Sequence, residues 1–190
     1  VHGHSFPTVA APEACLDASS RASSRPFFRN LDIRLAIGEV MWEPGWQAGD
    51  ARTAFWYRYR GPQRQVSGVF DPLAIPPIAD TMPSALARKL GPEHPRFFAP
   101  SLDLTVHFLG PSTSEWHLVD VRAPRARGGY ATAHAEIWSR AGKLVEPYYR
   151  SLDLPVVTEQ ILKTFGPRQG ARAVLPMIIA ECMAPAKVMQ

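Results

Sequence analysis

Cysteine is nearly absent: the 190-residue chain has two. Cys15 and Cys182 lie in unrelated contexts, with neither metal-ligand nor redox spacing, and read as free thiols. That suits a reducing compartment and a cytoplasmic setting. No apolar run approaches the roughly 20 residues needed to cross a bilayer, and Val1 to Ala11 lacks the pattern of a signal peptide. Lysine-rich tracts are missing too. The net charge of +4 is carried by arginines scattered through strands and turns. Scatter of that kind argues against nucleic acid and leaves a solvated basic face, or a pocket for a phosphorylated small molecule. His2 and His4 read as part of a flexible terminus rather than a metal site. No Ser-His-Asp triad and no internal repeat is visible, and the ending Lys187-Val188-Met189-Gln190 is not a peroxisomal address.

What the chain does have is alternation. From Ser101 to Leu109, Ser101, Asp103, Thr105 and His107 alternate with Leu102, Leu104, Val106 and Phe108, the period of a half-buried strand. Gly110-Pro111-Ser112 turns the chain, and a strand follows from Glu115 to Arg122. The basic corner Arg125-Ala126-Arg127-Gly128-Gly129 turns it again, by a bulge or tight turn. Tyr130 to Ser139 reads as another strand, and Gly142 to Val145 opens a further one. Earlier, Phe27 to Glu39 alternates Leu31, Ile33, Leu35 and Ile37 against polar or small neighbours, and Arg52 to Arg60 is a strand aromatic on both faces.

Val69 to Leu90 is the principal helix candidate, with Asp71 as N-cap and Pro72 at the first helical position. Pro76, Pro77 and Pro83 should break it into two short pieces. One helix set in a long antiparallel sheet is an α+β arrangement. Residues 1–26, rich in Ala, Ser and Pro, read as a linker or N-terminal arm. Residues 27–150 form the domain, and 151–190 are a C-terminal extension in which Val156 to Phe165 suits a short amphipathic helix.

These residues carry a resemblance. Phe55-Trp56-Tyr57-Arg58, Ala79-Asp80, the run Pro100 to Leu109, Gly129-Tyr130 through Glu136-Ile137-Trp138, and Gly142-Lys143-Leu144-Val145 together resemble the type II, double-hotdog acyl-CoA thioesterases. The likeness is to the second hotdog repeat, over about Phe27 to Val145. It implies a hotdog fold, in which an antiparallel sheet wraps a central helix, and hydrolysis of acyl-CoA or acyl-carrier thioesters without a cofactor. It also implies that two hotdogs pair to form the site, as a homodimer or with a separate chain. Pairing is expected through Phe55, Trp56 and Tyr57 and an edge strand. By position, the family's catalytic Asp falls at Asp80 and its hydroxyl at Ser101; the expected Gln falls at Arg150.

The residues themselves leave alternatives open. Asp80 is the only carboxylate in an apolar, proline-rich segment. Partial burial there would raise its basicity, but it also suits a cap for the short helix that follows. Ser101 can hold a water or simply start a strand. Arg122, Arg125, Arg127 and Arg140, with Gly129 beside them, can meet coenzyme A phosphates or form a solvated rim. His107 is read as an interface or core histidine. Pro147 removes a ladder donor, so the last strand is expected to stop near Val145. A dehydratase, isomerase or cyclase acting on a polyketide-like intermediate, or a non-catalytic hotdog subunit, would use the same fold.

Overall fold

The computed structural model describes residues 4–19, 26–41, 44–81, 83–94, 97, 99 and 105–153, by backbone alone from residue 146 onward. Among them a seven-stranded antiparallel sheet runs in the order β1-β2-β3-β5-β6-β7-β4. Its strands are β1 (Leu16–Asp17), β2 (Leu31–Ile37), β3 (Arg52–Tyr59), β4 (Thr105–Val106), β5 (His117–Arg127), β6 (Tyr130–Ser139) and β7 (Leu144–Asp153). Two helices, α1 (Ile75–Ala79) and α2 (Pro83–Leu90), cover one face. The fold is an α+β hotdog.

Period-two alternation sorts the side chains between two cores. Ile33, Phe55, Tyr57, Val119, Val121, Ala133 and Ile137 join Ile75, Ile78 and Leu86 of the helices in the larger one. Trp56, Trp116, Leu118 and Trp138 form a second cluster on the opposite face. The N-terminal arm covers that cluster. The Phe6 ring stands 5.7 Å from Trp138 and 6.3 Å from Trp56. Trp56 Nε1 donates to the carbonyl of Ala10 at 3.0 Å. Arg140 donates to both Glu13 carboxylate oxygens, at 2.7 and 3.1 Å.

The expected pairing surface is covered within the chain. Phe55 and Tyr57 are buried under the helices and Trp56 under the arm, and β3 has no open edge because it lies between β2 and β5. The exposed apolar side chains are elsewhere, with Leu73, Phe108 and Leu109 at 76%, 53% and 59% exposure.

The helical region breaks where its prolines require. Asp71 accepts from Leu73 N at 3.0 Å and Pro72 opens a 3₁₀ turn, then α1 stops at Ala79 and α2 restarts at Pro83. Other elements differ from expectation. Pro26–Asn30 is a 3₁₀ turn that delays β2 to Leu31; Asn30 Nδ2 donates to the Phe27 carbonyl there. The segment from His107 onward leaves the ladder after Val106, although Leu109 N still donates to Val145 O at 3.1 Å. The Gly110-Pro111 turn that follows has no strand partner among the described residues.

β5 does not stop at Arg122. It runs to Arg127, with a register shift between Arg122 and Arg125 that absorbs Pro124 as a bulge. The turn is Gly128 and Gly129 alone, both at positive φ (62° and 86°), as a two-residue hairpin of this twist requires. β7 also continues past Pro147, which pairs with Glu136, so the expected stop near Val145 is corrected. The physical reason is edge character: β4 pairs only with Tyr148 and Tyr149, leaving Pro147 beyond it.

Candidate functional site

Asp80 stands where the helical layer breaks. Its N–H donates to Pro76 O at 3.1 Å and its backbone (φ −67°, ψ 5°) closes α1. The next residue pins the junction to the sheet. Thr81 Oγ1 donates to Ile78 O at 2.9 Å, and its side chain hydrogen-bonds the buried Tyr57 phenol, whose pKa burial raises strongly. Beyond the junction, Ser84 Oγ lies 2.8 Å from Thr53 Oγ1, and Arg88 donates to Arg52 O at 2.7 Å. The break is therefore held at three points along β3.

The expected partial burial of Asp80 is corrected: it is exposed. Ile75, Ile78 and Ala79 occupy the sheet-facing stripe of α1, and one further residue turns the chain about 100° out of that stripe. Asp80 also closes α1 rather than standing next to Pro83, the first residue of α2. Ser101 lies outside the described residues, as does its relation to Asp80. Register places Arg150 opposite Ala133, a helix-facing position of β6.

The arginines do not gather at one place. Arg122, Arg125 and Arg127 are exposed along the far part of β5, with Arg122 Nη2 3.8 Å from Asp120 Oδ2, and Gly129 lies in the turn. Arg140 follows β6 at the other end of the β5–β6 ladder, where it is held by Glu13. His107 is exposed, not a core histidine. Asp120, with its side chain 1% exposed, takes a two-point contact from Arg52 at 2.9 and 2.7 Å.

A different histidine is buried, and the sequence reading passed over it. His117 faces Phe70, ring centroids 4.4 Å apart, and its Nε2 lies 3.0 Å from Ser112 Oγ. Burial, and secondarily Arg64, pushes its pKa down to about 4 from 6.5. The folded state therefore binds fewer protons than the unfolded chain. The resulting stability is complete above pH 6.5 and is lost as pH falls from there toward about 4. The urea midpoint should drop between pH 7 and pH 5, and His117→Gln should flatten that drop. An equally steep drop in the variant would assign the acid lability to other groups.

Among the described residues no group of three or more His, Cys, Asp or Glu is placed to hold a metal ion. No described helix is long and apolar enough to cross a membrane. A surface pocket of about 500 Å³ opens at the end of β3, lined in part by Asp32, Arg58, Arg60 and Arg64.

Among solved structures, a conserved protein of unknown function with hot dog fold from Alicyclobacillus acidocaldarius is similar, at TM-score 0.65 and 22% identity. The match covers 82% of this chain and 57% of that one. The tesB protein of Mycobacterium avium subs paratuberculosis matches at TM-score 0.60 and 20% identity, over 82% of this chain and 56% of that one. An acyl-CoA thioesterase II of Mycobacterium marinum matches at TM-score 0.54 and 20% identity, over 82% and 57%. The chain thus spans less than three-fifths of the length of these relatives. No curated protein is significantly similar to it. The acyl-CoA thioesterase C-terminal domain model matches residues 12–146, most of the described sheet and both helices, and the chain belongs to that family.

Proposed function

We propose that the protein hydrolyses acyl thioesters, acyl-CoA foremost, with Asp80 as the base that activates water and Ser101 orienting the water or the carbonyl oxygen. The observation that carries this reading is the exposed carboxylate at the α1–α2 break, in a chain of a thioesterase family. A thioester is already an activated acyl group. The attack needs a base within reach, an oriented water and donors for the developing oxyanion. Asp80 is exposed to solvent within the single chain. A second hotdog laid over the break would exclude water, favour the neutral carboxyl and raise its basicity. Arg150 stands where the family's Gln is expected, and a guanidinium has no lone pair with which to accept a proton from water. Turnover by this chain alone is accordingly expected to be low. Incubation with a panel of acyl-CoAs, read by mass spectrometry, tests the reading. Free coenzyme A and free acid support it, and intact thioester across the panel overturns it.

The same reading requires a second hotdog. Phe108 and Leu109, just past β4, are exposed, and the two-residue β4 forms one edge of the sheet. Apolar side chains next to an open edge favour strand-edge pairing. Light scattering at micromolar concentration should report a homodimer, or a heterodimer when a chain carrying the first repeat is supplied. A monodisperse monomer under both conditions counts against the assembly. Residues 27–150 would then be the hotdog unit, with the flanking segments serving as arm and extension.

A further inference from the structure

We propose that the pocket at the end of β3 binds the phosphates of the coenzyme that carries the acyl group. This rests on the hydrolase reading above, and it places charge recognition at the opposite end of β3 from Arg125 and Arg127.

The pocket is built by one carboxylate. Asp32 of β2 lies opposite Arg58 in the β2–β3 register. It accepts from Arg58 Nε at 3.1 Å, Arg58 Nη2 at 2.8 Å and Arg60 Nε at 3.0 Å. Burial raises the Asp32 pKa, but the Arg58 and Arg60 hydrogen bonds outweigh that and lower it overall, so the carboxylate stays ionised. The Arg58 guanidinium also lies 4.7 Å from the centre of the Trp116 ring. Each guanidinium has five N–H donors. Asp32 occupies the Nε edge of both, which orients them and leaves the terminal nitrogens of Arg60 for a ligand. Arg64 closes the other side, donating to Gly68 O at 2.7 Å and Thr113 O at 3.0 Å, with Glu115 3.8 Å away. Three arginines against two carboxylates leave the lining net positive.

Size and spacing select the ligand class. About 500 Å³ holds a small molecule rather than a lone ion. Arg60 directly follows β3, and its guanidinium meets the same Asp32 carboxylate as that of Arg58, so the two charged heads stand side by side. That spacing concentrates positive charge at one spot, and a fixed guanidinium fork matches phosphate oxygens. The pocket also touches the helical layer that bears Asp80. Its wall residue Tyr59 donates to Ala74 O at 2.8 Å, and Ala74 directly precedes α1. Asp80 closes the far end of that helix, about 9 Å from Ala74 along its axis. The pocket wall and the proposed base are therefore joined through one short helix.

Calorimetry with adenosine 3′,5′-bisphosphate tests the pocket without requiring hydrolysis. The full chain should bind it, and Arg60→Ala should weaken binding by about 10- to 100-fold, as expected for loss of charged hydrogen bonds. Arg60→Lys should recover part of the loss, since a lysine keeps the charge but not the fork. The double variant Arg125→Ala, Arg127→Ala should bind like the parent. Binding lost in the double variant and kept in Arg60→Ala overturns the assignment, and so does absence of binding by the parent at millimolar ligand. Binding that depends on Arg60 in a protein that cleaves no acyl-CoA upholds the pocket and overturns the hydrolase reading alone.

Discussion

Asp80→Asn should lower acyl-CoA turnover by about 10²–10⁴-fold, the range that a positioned general base contributes. The substitution keeps the size of the side chain and much of its hydrogen bonding, and removes only the ability to take a proton. Because Asp80 is exposed and closes α1 through its backbone N–H, melting temperature should hardly move. A structural role would show the reverse pattern, with stability falling and the remaining folded protein as active as the parent. Parallel pH profiles sharpen the result. The parent should lose activity on the acid side as the carboxylate protonates, and Asp80→Asn should show no such limb. Parent-like turnover in the variant would remove Asp80 from the mechanism.

Trp56→Ala should cost about 3–5 kcal/mol of folding stability, in line with removal of a large aromatic from a core. Trp56 is 2% exposed at the middle of β3 and is packed from above by Phe6 and tethered to Ala10. The truncation opens a cavity that neighbouring strands cannot close, and it also leaves the Ala10 carbonyl with only the Cys15 thiol, 3.5 Å away, as donor. For a domain of this size the melting temperature should fall by roughly 10 °C. Leu16→Ala, at a residue 57% exposed on the edge strand β1, should stay within about 0.5 kcal/mol of the parent. Similar losses in the two variants would mean that the outer cluster adds nothing beyond ordinary surface packing.

The elements legible in the sequence were those whose cause is local. Asp71 and Pro72 start the helical turn and Pro83 restarts it, as capping and proline chemistry require. A run of aromatics on both faces marked β3, and the stretch from Tyr130 to Ser139 marked β6, nearly to the residue. What escaped depends on partners distant in the chain. The arm has no period, because it is attached by scattered contacts of His4, Phe6, the Ala10 carbonyl and Glu13 rather than by a repeating face. Pro147 read as a terminator, since nothing in the sequence shows that its side of β7 is a near-open edge. For the site, Asp80 was named through family resemblance. Its exposure follows from the helical angle after Ala79, which a carboxylate in an apolar stretch does not disclose. The pocket was out of sight for a similar reason: Arg58, Arg60 and Arg64 are ordinary strand-end and loop arginines until Asp32 is placed between the first two.

The arm also sets an order of events during synthesis. His4 meets Glu136 across 132 positions of chain, and Arg140 meets Glu13 across 127. Hairpins such as β5–β6 close over short loops and are fast, whereas contacts of such separation must wait for loop closure. On a ribosome adding 5–20 residues per second, the arm is made before the strands it docks on and lacks a docking face for on the order of 10 s. Throughout that interval Phe6 and Trp56 lack Trp138, their common partner. In the finished protein the arm should exchange its amide protons sooner than the central strands β3 and β5.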